Sequence, residues 1–573
     1  MASFLLNASV SGVSVFGFRL GNLLLHLATG LAIFTLLLML ARRDRLLSAF
    51  AVTTAFGVTA IWLLHPMLVS TVLYVIQRMA MLSAFFMILT MLAYVHGRTR
   101  FEAGCFRTGS AWLFLAVPAL TALAAFSKEN GVLAPVLCGV IEWVYFAPRI
   151  GGRRPWQVRV FLILGIFVPA IMGLALLLSR PDLFLEGYTH RSFTLVERVL
   201  TQARVLFDYA HGLLLPYGPS FSLYRDDYPI STGWMSPATT LLAWSGWAAI
   251  ITLIFVLRKR VPGYSAGMAI FLVGHLVESS IIPLMIYFEH RNYLPGVGLL
   301  WALASLVAWF GKQLRCEVGS ARVLWPSALA ALLIVLSAAA FFRADLWSTP
   351  HLLLTQSLER YPNSRSLRLE LAYKEMSRTP PNVKAAQQHY HHLMSLESSS
   401  TQLIGAIGLI ISNCYAQKPI APGLVSKYLS RFPETMEADV IRSLENLAAV
   451  VRQMECKGLT PDQLADGLVN ALKAADLKPG SIQSWRMRLD AARLYYDSGQ
   501  MAKALEQAEI AWQNGHDLNV GLMVAGLRIN LGMNDAAREL LSDLETRIPA
   551  SHHEQRARFR SYIQALETEA FLQ

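Results

Sequence analysis

The sequence predicts an all-α protein in two parts. A polytopic helical domain crossing a membrane about ten times occupies residues 1–343, and a helical-repeat solenoid outside the bilayer occupies residues 344–573. Three observations carry this reading. Hydrophobic residues fill 54% of the 573 positions and charged residues only 15%, against the roughly 25% charged of ordinary soluble domains. The imbalance is uneven: apolar runs separated by short basic loops continue to Phe342, whereas from Ala344 onward charges fall on every helical turn. Near the C-terminus two stretches repeat 33 residues apart, a period typical of stacked helical hairpins.

A crossing helix needs about twenty mainly apolar residues. Runs of this kind lie at 16–40, 49–69, 72–95, 111–126, 132–146, 158–178, 239–257, 266–288, 294–310 and 323–342. The first is long and has no small-residue cleavage site before a soluble region, so it does not read as a signal peptide. The basic loops are Arg42-Arg43-Asp44-Arg45, 98–107, 149–159, Arg258-Lys259-Arg260 and 312–322. With these spans all five fall on one side, which is then cytoplasmic. The opposite side receives residues 1–15, a large loop at 179–237 and everything beyond Phe342. The expectation is a multi-pass protein of the cytoplasmic (inner) membrane with a periplasmic repeat domain. In the large loop, residues 195–215 are apolar on one face and carry Glu197, Arg198, Arg204 and Asp208, which suits an interfacial helix. The acidic, aromatic turn Tyr224-Arg225-Asp226-Asp227-Tyr228-Pro229 follows.

The formal charge of +12 sits largely in the short loops. With no basic helix interleaved with aromatics, the bilayer is the expected partner and nucleic acid is not. Five cysteines show no metal-ligand spacing. Cys105 and Cys316 fall in basic loops and Cys138 in an apolar run. Cys414 and Cys456 either pair, if the repeat domain faces an oxidising compartment, or remain two buried thiols, the plainer reading.

In the repeat region, AARLYYDSGQMAKALEQAEIAW and GLRINLGMNDAARELLSDLETRIP align Gly499 with Gly532 and Ala504 with Ala537, and Pro549 closes the second. Glycine lets the turn form, and alanine lets the two helices press together. The pattern resembles tetratricopeptide repeats. An earlier unit begins near Tyr361-Pro362-Asn363 and takes in LAYKEM and AAQQHYHHL, while 401–477 is helical without an assignable repeat. Such a solenoid offers a groove for a protein or peptide partner.

Polar groups within or beside spans are costly and mark function. His65-Pro66, Gln77-Arg78, Ser127-Lys128-Glu129-Asn130 and Glu289-His290-Arg291-Asn292-Tyr293 all fall at outer span ends, and His275 and Glu278 lie deeper in the span at 266–288. Singly each has a bland explanation: an arginine snorkels, His-Pro marks a kink, Lys128 and Glu129 pair at the surface. Together they assemble cations, carboxylates and histidines on one leaflet, as an anionic lipid headgroup requires. Arg and Lys neutralise phosphate, and a carboxylate serves as acid or base on a hydroxyl.

The strings FGFRLGNLLLHL, LLHPMLVSTVLYVIQR, FSKENGVLAPVL and YFEHRNYLP resemble the core of bacterial membrane proteins that end in tetratricopeptide repeats. That core is similar to the eukaryotic transmembrane and tetratricopeptide-repeat O-mannosyltransferases, within the GT-C superfamily of polyprenyl-phosphate-sugar-dependent glycosyltransferases. The resemblance implies O-glycosylation outside the cytoplasm: a polyprenyl-phosphate sugar as donor, a hydroxyl as acceptor. It implies that His65, Arg78, Lys128, His290 and Arg291 contact the lipid phosphate or sugar, with Glu129 and Glu289 ordering that shell. One departure matters. The superfamily's catalytic carboxylate lies in the first outer loop, and here no Asp or Glu precedes Asp44. Residues 2–12 read as loop interior, so the expectation is a chain lacking one earlier span and an acidic loop. Asp226 and Asp227 are the outer carboxylates that could substitute. The competing reading is a non-enzymatic membrane scaffold whose repeat groove recruits envelope or pilus-assembly partners. A transporter fits less well, because no inverted repeat is visible and the polar groups gather at one face.

Overall fold

In the computed structural model, the described residues are 2–146, 154–216, 221–313, 318–429, 432, 436–474, 480–547, 557, 560, 561 and 563–568. Cys316 and Pro549 lie outside them, as does 149–153 of one basic loop. Among the described residues the chain is helical throughout, with no strand beyond an isolated bridge between Gly233 and Ser236. It divides into two compact units, one of Met1–Tyr188 with Phe193–Ser364, the other of Thr189–Ser192 with Arg365–Gln573.

The first unit begins with α1 (Ala2–Ser11), a helix where the sequence reads as loop, then α2 (Val15–Arg43), α3 (Ala51–Leu63), α4 (Pro66–Leu73) and α5 (Arg78–Glu102). Next come α6 (Phe106–Ser127), α7 (Ala134–Tyr145), α8 (Trp156–Ser179), α9 (Leu195–Leu214) and α10 (Thr239–Leu257). The unit closes with α11 (Pro262–Gly274), α12 (Pro295–Gln313), α13 (Val318–Leu346) and α14 (Pro350–Arg360). Seven of these helices are long and apolar enough to cross a membrane, or eight if the bent pair 48–63 and 66–73 is one span. The run at 132–146 holds only the short α7, and the run at 266–288 leaves the helix after Gly274. On α8, Leu164, Phe167, Ile171, Met172 and Leu178 are all exposed, as are Ile334, Val335, Phe341 and Phe342 on α13. Apolar surface presented over whole helices suits a lipid surround rather than water.

Amphipathic α9 is started by a capping box, Thr194 accepting from the Glu197 amide while Glu197 reaches back to the Thr194 amide. Its inner face buries Arg198, Gln202 and Tyr209. α11 and α12 press backbone to backbone: a Cβ on Gly267 would meet the Gly298 carbonyl at 2.3 Å, so only glycine permits the approach. That pair fixes both ends of the connection between them, residues 275–294.

In the second unit, α15 (Arg365–Met376), α16 (Val383–Met394), α17 (Ser399–Tyr415), α18 (Pro422–Tyr428), α19 (Ala438–Gln453) and α20 (Pro461–Ala474) precede two matching hairpins. These are α21 (Ile482–Asp497) with α22 (Met501–Gly515), and α23 (Leu518–Asn530) with α24 (Asn534–Arg547). Gly499 and Gly532 end the first helix of each with φ of 78° and 74°. The turn bonds match as well: Gln500 N–H to Tyr495 O at 2.9 Å, Met533 N–H to Arg528 O at 2.8 Å. Ala504 and Ala537 are both fully buried. Cys414 and Cys456 form a disulfide, so the plainer reading of two free thiols gives way.

Candidate functional site

α6 ends at Ser127, and Lys128 turns extended before a 3₁₀ turn at Glu129–Leu133, so its side chain leaves the helix axis. A second 3₁₀ turn, Glu289–Asn292, opens α12 and carries Arg291. Between α11 and this turn the backbone is non-helical and must find its hydrogen bonds elsewhere. Side chains supply them. Arg198 donates to the carbonyls of Glu278 at 2.6 Å and Ser280 at 3.1 Å and to that of Leu284. Gln202 donates to Ile286 O at 3.0 Å, and the Tyr188 hydroxyl to Ile281 O at 2.6 Å. Arg291 donates to Met285 O at 2.7 Å and Ile286 O at 3.0 Å, and Phe288 N–H donates to the Tyr209 hydroxyl at 2.9 Å.

The segment held this way presents Glu278, which is 2% exposed. Its Oε1 accepts from the Lys128 ammonium, and its Oε2 faces the Arg291 guanidinium at 3.8 Å without a hydrogen bond among the described residues. Burial pushes this carboxyl up, but Lys128 and Arg291 outweigh burial and hold it well below the usual carboxylate range. His290 is half-buried beside them; burial first, then the Lys128 charge, lowers it to about 3. Scanned against known families, curated proteins and solved structures, the chain matches none.

The other residues expected at the site divide. Glu129 is exposed and makes no ion pair among the described residues. Glu289 belongs to a second cluster: it accepts from the Ser70 hydroxyl at 2.7 Å, the Ser222 amide at 3.0 Å and Arg343, which also donates to Pro66 O at 2.6 Å. His65 caps α4, its Nδ1 accepting from the Met67 amide, so Nε2 donates to Leu213 O at 3.0 Å. Arg78 is bonded to Asn22 and Asn7 Oδ1 and to the carbonyls of Phe18 and Ser3, none of them part of the Lys128 cluster. Asp226 accepts from the Ser364 hydroxyl, and Asp227 is half-buried, raised by burial and by Asp226 beside it. Arg225 lies over the Tyr287 ring at 4.1 Å.

Of the expected set, Lys128 and Arg291 therefore meet, joined by Glu278, with His290 beside them. Arg343 was not singled out in the sequence; a lone arginine closing the last apolar run was its only signal. No group of three or more His, Cys, Asp or Glu is placed to hold a metal among the described residues. Two cations on one buried carboxylate leave a positive site, reached through Lys128, whose side chain is 16% exposed.

Proposed function

We propose that the chain is a membrane glycosyltransferase that takes a sugar from a polyprenyl phosphate at the outer face of the membrane. The observation that carries this reading is the convergence of Lys128 and Arg291, distant in sequence, on Glu278. The motif resemblance and the apolar helices support it, and the Cys414–Cys456 bond fits a repeat domain in an oxidising compartment. In the reaction the bond from sugar C1 to the phosphate oxygen breaks, with its electron pair staying on the phosphate. The acceptor oxygen bonds to C1, and the acceptor proton passes to a base or to water. The cations would stabilise the charge gathering on the leaving phosphate. The second reading, a membrane-anchored scaffold with a tetratricopeptide-like groove, draws on the matched hairpins and on the internal bonding of Arg78, His65 and Glu289.

The test uses the full chain in lipid nanodiscs, given radiolabelled undecaprenyl-phosphate hexoses and an envelope extract as acceptor. Release of undecaprenyl phosphate is the readout. Lys128→Gln and Arg291→Lys should each lower the rate by about 100-fold. No release by the wild type would discard the enzyme and leave the scaffold.

A further inference from the structure

We propose that Glu278 sets the charge of this site so that it holds a phosphodiester monoanion and lets go of a phosphomonoester dianion, separating donor from spent carrier. The inference rests on the glycosyltransferase reading. A polyprenyl-phosphate sugar carries one negative charge on its diester. Loss of the sugar leaves a monoester whose second ionisation, near pH 6, brings it to about two negative charges. The site holds Lys128 and Arg291 against Glu278, one net positive charge, which matches the donor and falls short of the product. The count is of the three side chains that meet: Arg198 spends its donors on the carbonyls of Glu278, Ser280 and Leu284, and Glu129 is exposed.

Three features distinguish Glu278 from an ordinary counter-ion. Its backbone is anchored, because Arg198, Gln202, Tyr188 and Arg291 bind the carbonyls of the segment that carries it. It is buried, where a unit of charge acts more strongly than in water. And its Oε2 meets only the Arg291 charge, at 3.8 Å, with no hydrogen bond among the described residues. A second negative charge arriving on a phosphate beside Lys128 is repelled by that carboxylate.

The experiment measures binding of two probes, undecaprenyl phosphate and its glucose diester, to the full chain in nanodiscs at pH 8. The wild type should prefer the diester. Glu278→Gln should tighten the monoester by at least about tenfold relative to the diester, erasing or inverting the order. Glu278→Asp should keep the wild-type order. Lys128→Gln leaves the Glu278–Arg291 pair in place while removing a positive charge, so it should widen the preference; it decides the matter if Glu278→Gln does not fold. Wild type binding both probes equally, or an unchanged ratio in the folded variants, overturns the inference alone. Wild type binding neither overturns the glycosyltransferase reading and the inference with it.

Discussion

Glu142 accepts from the Arg98 guanidinium at 2.7 and 3.3 Å and from the Tyr94 hydroxyl at 2.8 Å, with Arg154 at 3.3 Å. It is as buried as Glu278, yet both of its oxygens are engaged, so it joins α5, α7 and the approach to α8 with nothing left for a ligand. Glu142→Gln strands the buried Arg98 charge and should cost about 3–5 kcal/mol, read as a lower thermal midpoint in nanodiscs; an unchanged midpoint would refute the staple. His290 gives a pH signature. Its proton affinity is lower in the folded chain, about 3 against 6.5 unfolded, so acid favours the unfolded state. Its contribution is full above pH 6.5 and declines below it, by about 1.4 kcal/mol per pH unit. His290→Gln should flatten that part of the decline in a series of unfolding curves. At this scale residue types were easier to read from the sequence than their partners. The strings around Lys128 and Arg291 mark the two turns whose charges meet at Glu278, while His65 and Arg78 carry the same chemistry and are used for capping and bracing.

The element that sequence reading missed is the connection after α11. Leu276, Val277, Ile281, Ile282, Leu284, Met285 and Ile286 make it as apolar as a span, and hydropathy does not ask where backbone hydrogen bonds go. Pro283 lacks an N–H, and the carbonyls around it are taken by side chains from α9, a helix distant in sequence. Such long-range satisfaction leaves no periodic trace. The long apolar helices α2, α5, α8, α10 and α13 were legible because their pattern is local, and so were the paired glycine turns at Gly499 and Gly532, where a positive φ admits few other residues. Arg198 is the keystone of the connection. Arg198→Met should raise deuterium uptake across residues 276–288 and weaken binding of undecaprenyl phosphate, while α21–α24 exchange as before. Unchanged uptake would mean that the segment holds its shape without α9.

For the whole molecule, the open physical quantity is which side of the membrane each unit faces, and the cysteines can report it. The ten-span reading of the sequence puts five basic loops on one side, the expected cytoplasmic face, and exposed Cys105 lies in one of them. The second unit carries the Cys414–Cys456 bond, with both residues buried; a reducing cytosol would tend to keep such thiols apart. From two independent arguments, charge asymmetry and redox chemistry, we propose that Cys105 and the disulfide lie on opposite sides of the membrane. In intact cells a membrane-impermeant maleimide should leave Cys105 unmodified, and should reach Cys414 and Cys456 only after reduction and mild unfolding. A permeant maleimide should label Cys105 without reduction, each site being assigned by peptide mass. If the impermeant reagent labels Cys105 in intact cells, the orientation is reversed. The Lys128–Glu278–Arg291 site would then open toward the cytoplasm, and its sugar donor would have to be presented from the cytoplasmic leaflet.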